Sequence, residues 1–161
     1  MLAVIEKFED EYVARFERHF SQTADHVWAA ITTNESLEKW MPNLEMKDLR
    51  KGGVILFNMN DGTGSSFILK ITNCQSNSLL EFEWGDTLVR FELFPAPEGC
   101  LLVLKEFIPI LVDHTSKDLA GWHVCLERLN AVLNGSYLDF QKVEWELWHQ
   151  KYRDAVNGLQ K

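Results

Sequence analysis

Apolar and polar residues alternate along most of the first two thirds of the chain, which is the pattern of strands with one buried face. The turn signals Asp61-Gly62 and Gly85-Asp86 separate successive stretches of alternation. The pattern predicts about six antiparallel strands in a meander. The apolar positions that define them are residues 12–20, Ile55, Phe57 and Met59, then Phe67, Leu69 and Ile71, then Leu80, Phe82 and Trp84, then Val89, Phe91 and Leu93, and finally Leu102 and Leu104.

Two short helices are predicted between the first and second of these strands. Thr23 is placed to cap a helix over residues 24–32, and Asn34 is placed to cap a second helix over residues 35–40. Pro42 then ends the second helix. The two helices would close one end of the sheet.

A long amphipathic helix is predicted over residues 115–134. Its apolar residues recur at helical spacing and share one face: Leu119, Trp122, Leu126, Leu129 and Leu133. A long helix that follows a run of strands needs an apolar sheet to cover. Gly121 stands beside Trp122, and we expect it to let a neighbouring element approach the helix closely.

A final helix is predicted over about residues 142–156. It carries Trp145, Trp148, Tyr152 and Val156 on one face, which we expect to pack over the mouth of a pocket or to form a dimer patch. The fold class predicted is α+β, with a curved antiparallel sheet wrapped around the long helix. We expect one domain over residues 1–161, with a core at 12–134 and a helical extension at 140–158.

Length and composition fit this single domain. The chain has 161 residues, of which 46% are hydrophobic and 12% aromatic. Acidic residues outnumber basic ones by 24 to 16, and the net charge is −8. Because nucleic acids and anionic membranes attract clustered Lys and Arg, we expect neither as a partner.

The three cysteines are far apart in sequence and each lies in an apolar or strand-like context, at Cys74, Cys100 and Cys125. We expect them to be free thiols that pack as small hydrophobic residues. No signal-peptide pattern and no membrane-spanning run is present, so the expected location is the cytoplasm. Neither a metal site nor a cofactor is expected.

Candidate catalytic groups are few. The chain has no G-x-S-x-G motif, and its five His residues show no metal-ligand spacing. His123 is expected to be exposed or hydrogen-bonded within the structure, with a pocket group as the alternative. By strand alternation Glu106 shares the inward side of Leu102 and Leu104, where its carboxyl group would anchor a ligand or act as an acid or base. If the strand ends before Glu106, the carboxyl group reaches solvent at the rim, and we favour that interpretation.

The inward apolar residues form either a filled core or the lining of a ligand pocket, and sequence alone does not separate the two. The residues expected to line such a pocket are Trp40, Phe57, Met59, Phe67, Phe82, Trp84, Phe91, Trp122 and Leu126, with Glu106 as a polar anchor.

Several ordered motifs resemble one known family, the bacterial proteins similar to the C-terminal domain of the activator of heat-shock protein 90 ATPase. The motifs are FERHF at residues 16–20, DHVWAAI at 25–31, LEKWM at 37–41, Gly52-Gly53, Leu80-x-Phe82-x-Trp84 and Ala120-Gly121-Trp122. The resemblance extends over about residues 12–134. It implies the helix-grip fold of the START-like, or SRPBCC, superfamily.

The resemblance also implies a range of functions, because members of the superfamily range from lipid and hormone carriers to polyketide cyclases. The bacterial branch is thought to bind hydrophobic small molecules. The family often has a His in the final strand where this chain has Glu106, which weakens the transfer of a polar pocket role. The eukaryotic activator has a separate N-terminal domain, for which this chain has no room, so we do not expect a co-chaperone role.

Three functional hypotheses follow. The first is non-enzymatic binding of a small hydrophobic molecule, such as a lipid or a polyketide-like compound, between the long helix and the sheet. The second is a protein-interaction or co-chaperone-like module that resembles the heat-shock protein 90 ATPase activator domain and binds a protein partner. The third is a cyclase-like or hydrolase-like enzyme that uses Glu106 or His123, and it ranks last because sequence places no second titratable group beside either. The expected oligomeric state is a monomer or a weak dimer.

Overall fold

The computed structural model describes residues 1–160, and within that range it contains an eight-stranded antiparallel sheet. The strands are β1 (Val4–Phe8), β2 (Glu11–Phe20), β3 (Leu44–Asp48), β4 (Val54–Asn58), β5 (Ser66–Gln75), β6 (Leu79–Trp84), β7 (Thr87–Ala96) and β8 (Gly99–Ile108). Their order across the sheet is β1-β2-β8-β7-β6-β5-β4-β3. Every pair of adjacent strands in the sheet is therefore consecutive in sequence, except the β2–β8 pair.

Four helices accompany the sheet in the described part of the chain: α1 (Ala24–Thr32), α2 (Asn34–Trp40), α3 (Thr115–Leu133) and α4 (Lys142–Leu159). The apolar face of α3 is buried, including Leu119, Leu126 and Leu129. It covers the inward face of the sheet, where Phe16 and Leu104 are also fully buried. The predicted α+β architecture is confirmed.

The sheet has two more strands than hydrophobic alternation indicated. The prediction missed β1 and β3, which form the two edges of the sheet. Each has only five residues, and all but one of the residues in β1 are exposed. An edge strand with little buried surface carries only a weak alternating signal, and this explains why both were missed.

The starts of the two short helices differ in detail from the prediction. Thr23 occupies the N-cap position of α1, but its side chain makes no capping hydrogen bond. Asn34 is the first residue of α2 rather than its cap. Its amide group instead pairs with the backbone of Met46, accepting from the N–H at 2.6 Å and donating to the C=O at 3.0 Å. The side chain thus attaches α2 to the edge strand β3.

Gly121 does not have the packing role expected of it. A Cβ atom at this position would meet no heavy atom within 4 Å, so no neighbouring element approaches there. A close approach occurs at Gly99 instead, where φ is +144° and a Cβ atom would lie 2.0 Å from the Phe20 carbonyl oxygen. Only glycine can occupy that turn between β7 and β8 without displacing the end of β2.

Helix α4 packs against α3 on the side of the β1–β2 hairpin. Tyr152 is fully buried there, and its hydroxyl oxygen accepts a hydrogen bond of 3.0 Å from the Ala3 N–H. The Tyr152 ring lies 6.1 Å from that of Phe16 on β2. The helix therefore covers the edge of the core beside β2.

Candidate functional site

Four aromatic side chains under α3 form a closed group, which we call the inner cluster: Trp40, Phe82, Phe91 and Trp122. All four are almost completely buried, as is Leu126 beside them. Phe91 is the centre of the group, since its ring lies 6.4 Å from Trp40, 6.3 Å from Phe82 and 6.0 Å from Trp122. These five predicted lining residues therefore pack against one another as a core.

The other four apolar residues predicted to line the pocket lie at the open end of the same face, and we call them the apolar mouth: Phe57, Met59, Phe67 and Trp84. Phe57 and Trp84 are partly buried, with ring centroids 5.4 Å apart. Phe67 is 57% exposed and Met59 is 38% exposed. Trp84 connects the mouth to the inner cluster, because its ring lies 5.0 Å from that of Trp122.

The interpretation that Glu106 reaches solvent at the rim is wrong. Strand β8 continues to Ile108, so the alternation holds through Glu106 and turns its carboxyl group inward. Glu106 is paired with Ala14 on one side and Val89 on the other, and both neighbours are fully buried. The side chain is only 1% exposed.

A second carboxyl group, from Asp118, lies near that of Glu106. Glu106 Oε1 is buried without a hydrogen-bond partner in the protein. Asp118 accepts from Trp84 Nε1 at 2.8 Å, and Thr87 Oγ1 lies 2.7 Å from Glu106 Oε2. Burial raises the pKa of Glu106 well above its usual value, and the neighbouring Asp118 carboxyl group raises it further. This environment therefore favours the protonated form of Glu106.

Sequence reasoning missed Asp118 and Thr87. Asp118 belongs to the first turn of α3, where an acidic residue is ordinarily explained by the helix dipole. The available signal was its spacing, since Asp118 stands four residues before Trp122 and hence on the same face of the helix. Only the docking of α3 on the sheet brings this carboxyl group to Glu106.

Trp122 carries a buried polar atom without a partner. Its Nε1 makes no hydrogen bond, although the side chain is only 2% exposed. The neighbouring indole of Trp84 does have an acceptor, in Asp118. An unpaired buried donor costs about 1–3 kcal/mol, so this group has an unused capacity to bind an acceptor.

His123 is buried outside this site, between α3 and α4. Its Nδ1 lies 2.7 Å from the Tyr152 hydroxyl oxygen, and its Nε2 lies 3.4 Å from Glu127 Oε1. The Tyr152 oxygen also accepts from the Ala3 N–H, so this hydroxyl group connects His123 to the N-terminal segment. Burial, together with the charge of Arg18, lowers the pKa of His123 to about 3. Its role is structural.

Two surface cavities lie on the face of the sheet away from α3. One has a volume of about 430 Å³ and is lined by Phe8, Val13, Arg15, Lys105 and Phe107 among others. The other, of about 300 Å³, is lined by Leu88, Arg90 and Phe107 among others. Neither contains any of the predicted lining residues.

Other site types receive no support from the described residues. Among residues 1–160, no three His, Cys, Asp or Glu side chains are grouped as a metal site requires. None of the helices in this range combines the length and the apolar character needed to cross a membrane.

Comparison with known proteins agrees with the fold. The model of the family described as "Activator of Hsp90 ATPase homolog 1-like protein" matches residues 21–134. No protein of curated function matches the chain. Among solved structures, a conserved protein of unknown function, EF2215 from Enterococcus faecalis, is 23% identical with a TM-score of 0.86, over 98% of this chain and 91% of that one.

Two further solved structures share the fold. CalU16 from Micromonospora echinospora is 19% identical with a TM-score of 0.72, over 96% of this chain and 95% of that one. DynU16, a protein in the dynemicin biosynthetic locus, is 21% identical with a TM-score of 0.68, over 81% of this chain and 51% of that one. At these identities the structures show a shared fold.

Proposed function

Since the chain belongs to the Activator of Hsp90 ATPase homolog 1-like family, we propose that it binds a small hydrophobic molecule between α3 and the inward face of the sheet. The observation that carries this proposal is the apolar mouth. Phe67 and Met59 present large apolar side chains to solvent at the end of the inward face, beside the packed inner cluster. Covering this surface with an apolar ligand is favourable by about 25 cal/mol per Å² of surface removed from water.

The inner cluster defines where such a ligand sits. Because Phe82, Phe91 and Trp122 already fill the space under the middle of α3, the ligand lies at the mouth. There it contacts the rings of Phe57, Phe67 and Trp84. An aromatic or fused-ring molecule suits these surfaces, because offset and edge-to-face contacts between rings add to the burial of apolar area.

The structural comparisons support a small molecule of biosynthetic origin. DynU16, which shares the fold, lies in a biosynthetic locus. We propose a polyketide-like or lipid-like compound on this basis, bound in the cytoplasm. The protein in this role is a carrier or sensor that does not change its ligand.

A pair of adjacent residues on β5 supplies the test. Phe67 belongs to the mouth, whereas Ile68 points to the opposite face of the sheet and is 66% exposed. A thermal-shift screen against lipids and aromatic polyketide-like compounds should yield a ligand that stabilises the protein by about 2.7 kcal/mol at a hundredfold its Kd. Phe67→Ala should weaken that ligand, and Ile68→Ala should not. Equal loss in both variants, or in neither, would place binding elsewhere.

A protein-interaction role is the second candidate, and one observation favours it. The segment that leads into α4 and the first turns of that helix expose four large apolar side chains: Tyr137, Phe140, Val143 and Leu147. Exposed apolar surface of this kind is common where proteins associate. Leu147→Lys would abolish such an association while leaving small-molecule binding at the mouth unchanged.

A further inference from the structure

The unpaired indole N–H of Trp122 belongs to a ring that packs against the apolar mouth. The Trp122 ring contacts that of Trp84, a mouth residue, with centroids 5.0 Å apart. On its other side it meets Phe91, at 6.0 Å in an edge-on arrangement. The N–H group is buried and lacks an acceptor in the protein. An oxygen atom from a molecule bound at the mouth would supply one.

The two carboxyl groups beside Trp84 restrict the charge that such a molecule can carry. Asp118 accepts a hydrogen bond from the Trp84 indole, and Glu106 is bonded to Thr87, whose hydroxyl group also lies 2.9 Å from the Trp84 carbonyl oxygen. Neither of these hydrogen-bond partners is cationic. A ligand carboxylate placed against Trp122 would therefore add a third carboxyl group to a poorly solvated site whose hydrogen-bond partners include no cation, where repulsion between carboxylates is strong.

We propose that the site selects uncharged apolar molecules that carry a carbonyl or ether oxygen, which accepts a hydrogen bond from Trp122 Nε1, and that it rejects carboxylates of the same size. This inference rests on the proposed function, because it names the class of molecule bound at the mouth. Trp122 is then the specificity-determining residue of the site, and the Glu106–Asp118 pair excludes anions.

Three probes that share the naphthalene ring system separate the contribution of the hydrogen bond to Trp122 from the effect of the ligand's charge. Acetylnaphthalene supplies a carbonyl acceptor, ethylnaphthalene has the same shape without one, and naphthoate at about pH 8 is an anion. By calorimetry, acetylnaphthalene should bind roughly three- to tenfold tighter than ethylnaphthalene, as one neutral hydrogen bond predicts. Naphthoate should bind more than about tenfold weaker than acetylnaphthalene.

Variants test whether Trp122 is responsible for the preference for acetylnaphthalene over ethylnaphthalene. In Trp122→Phe the ratio of affinities for acetylnaphthalene and ethylnaphthalene should fall to about one. Trp145→Phe, a change of the same kind on α4, should keep the ratio of the unchanged protein. In the unchanged protein, the indole N–H resonance of Trp122, assigned by correlation to its own side-chain and backbone resonances, should move downfield with acetylnaphthalene and not with ethylnaphthalene, a measurement that does not depend on how the variant folds.

The outcomes distinguish the two proposals. If the three probes bind equally well, or naphthoate binds best, the selectivity is refuted while small-molecule binding stands. An unmoved Trp122 N–H resonance at saturation with acetylnaphthalene would also refute it. If none of the probes binds and the wider screen is empty, both proposals fail.

Discussion

The contribution of the buried residues Glu106 and Asp118 to stability depends on whether Glu106 carries a proton. Two carboxyl groups in an apolar interior would be strongly destabilising if both were ionised. A proton on Glu106, which its raised pKa favours, removes this repulsion, and Thr87 and Trp84 form hydrogen bonds to the two carboxyl groups. The arrangement places a second titratable group beside Glu106, which an acid–base mechanism would need and which the sequence did not reveal. The same arrangement also suits discrimination between charged and uncharged ligands.

Replacing Glu106 by Gln should flatten the dependence of stability on pH. Because the pKa of Glu106 is raised in the folded protein, its favourable contribution is present below the usual value of 4.5 and is lost as pH rises. Where only the folded state keeps the proton, the unfolding free energy falls by about 1.4 kcal/mol per pH unit. The amide of the Glu106→Gln variant stays neutral, so the variant lacks this loss. Urea titrations from about pH 5 to about pH 8 measure it.

The exposed Glu83 offers a control, since Glu83→Gln should leave the pH profile of the unchanged protein intact. Parallel profiles for the unchanged protein and Glu106→Gln would mean that Glu106 is ionised in the folded state.

Two glycines should respond to alanine in opposite directions. At Gly121 the space for a Cβ atom is open, so Gly121→Ala should raise the unfolding free energy by about 0.5–1 kcal/mol through helix propensity. Gly99→Ala should lower it by more than about 1 kcal/mol, because the added Cβ atom would lie 2.0 Å from the Phe20 carbonyl oxygen. Denaturant midpoints measure both changes. A destabilised Gly121→Ala would show that a neighbour does pack there.

Among the helices and strands, hydrophobic alternation predicted β2, β4 to β8 and the faces of α3 and α4, because each of these elements buries one side. It could not predict β1 and β3, which bury little at the edges of the sheet. Nor could it predict the partner of Glu106 or the unpaired N–H of Trp122. Both depend on how α3 is placed across β7 and β8, and periodicity along the chain carries no information about that placement.

The contact between α3 and α4 should weaken as pH rises through neutrality. Burial raises the pKa of Glu127 on α3 to about 7, and its hydrogen bond with Glu144 on α4 and the charge of that group contribute further, against Arg18 and the N-terminal amine. Its stabilising contribution is therefore complete below 4.5 and is lost through about 7. Hydrogen exchange, corrected for intrinsic rates, should show protection of α4 falling between about pH 6 and about pH 8.

Glu127→Gln should remove this pH dependence, since a neutral side chain keeps the contact with Glu144 at every pH. Glu146, exposed on α4, provides the matched control, and Glu146→Gln should behave like the unchanged protein. If Glu127→Gln retains the full pH dependence, the acid pair does not control the docking of α4.

Across the molecule as a whole, the helix-grip fold has two faces with different properties. The inward face ends in the apolar mouth, with Phe67 and Met59 exposed beside the packed cluster. The outward face carries two cavities that combine apolar residues such as Phe107 with charged ones such as Arg15 and Lys105. We propose that the ligand binds at the inward face. The cavities of the outward face are the alternative binding site.

A crystal structure with a compound found in the thermal-shift screen tests this assignment most directly. We expect the compound at the apolar mouth, in contact with Phe57, Phe67 and Trp84, with an oxygen atom within hydrogen-bond distance of Trp122 Nε1. A compound seated instead on the outward face, against Val13 and Phe107, would overturn the assignment.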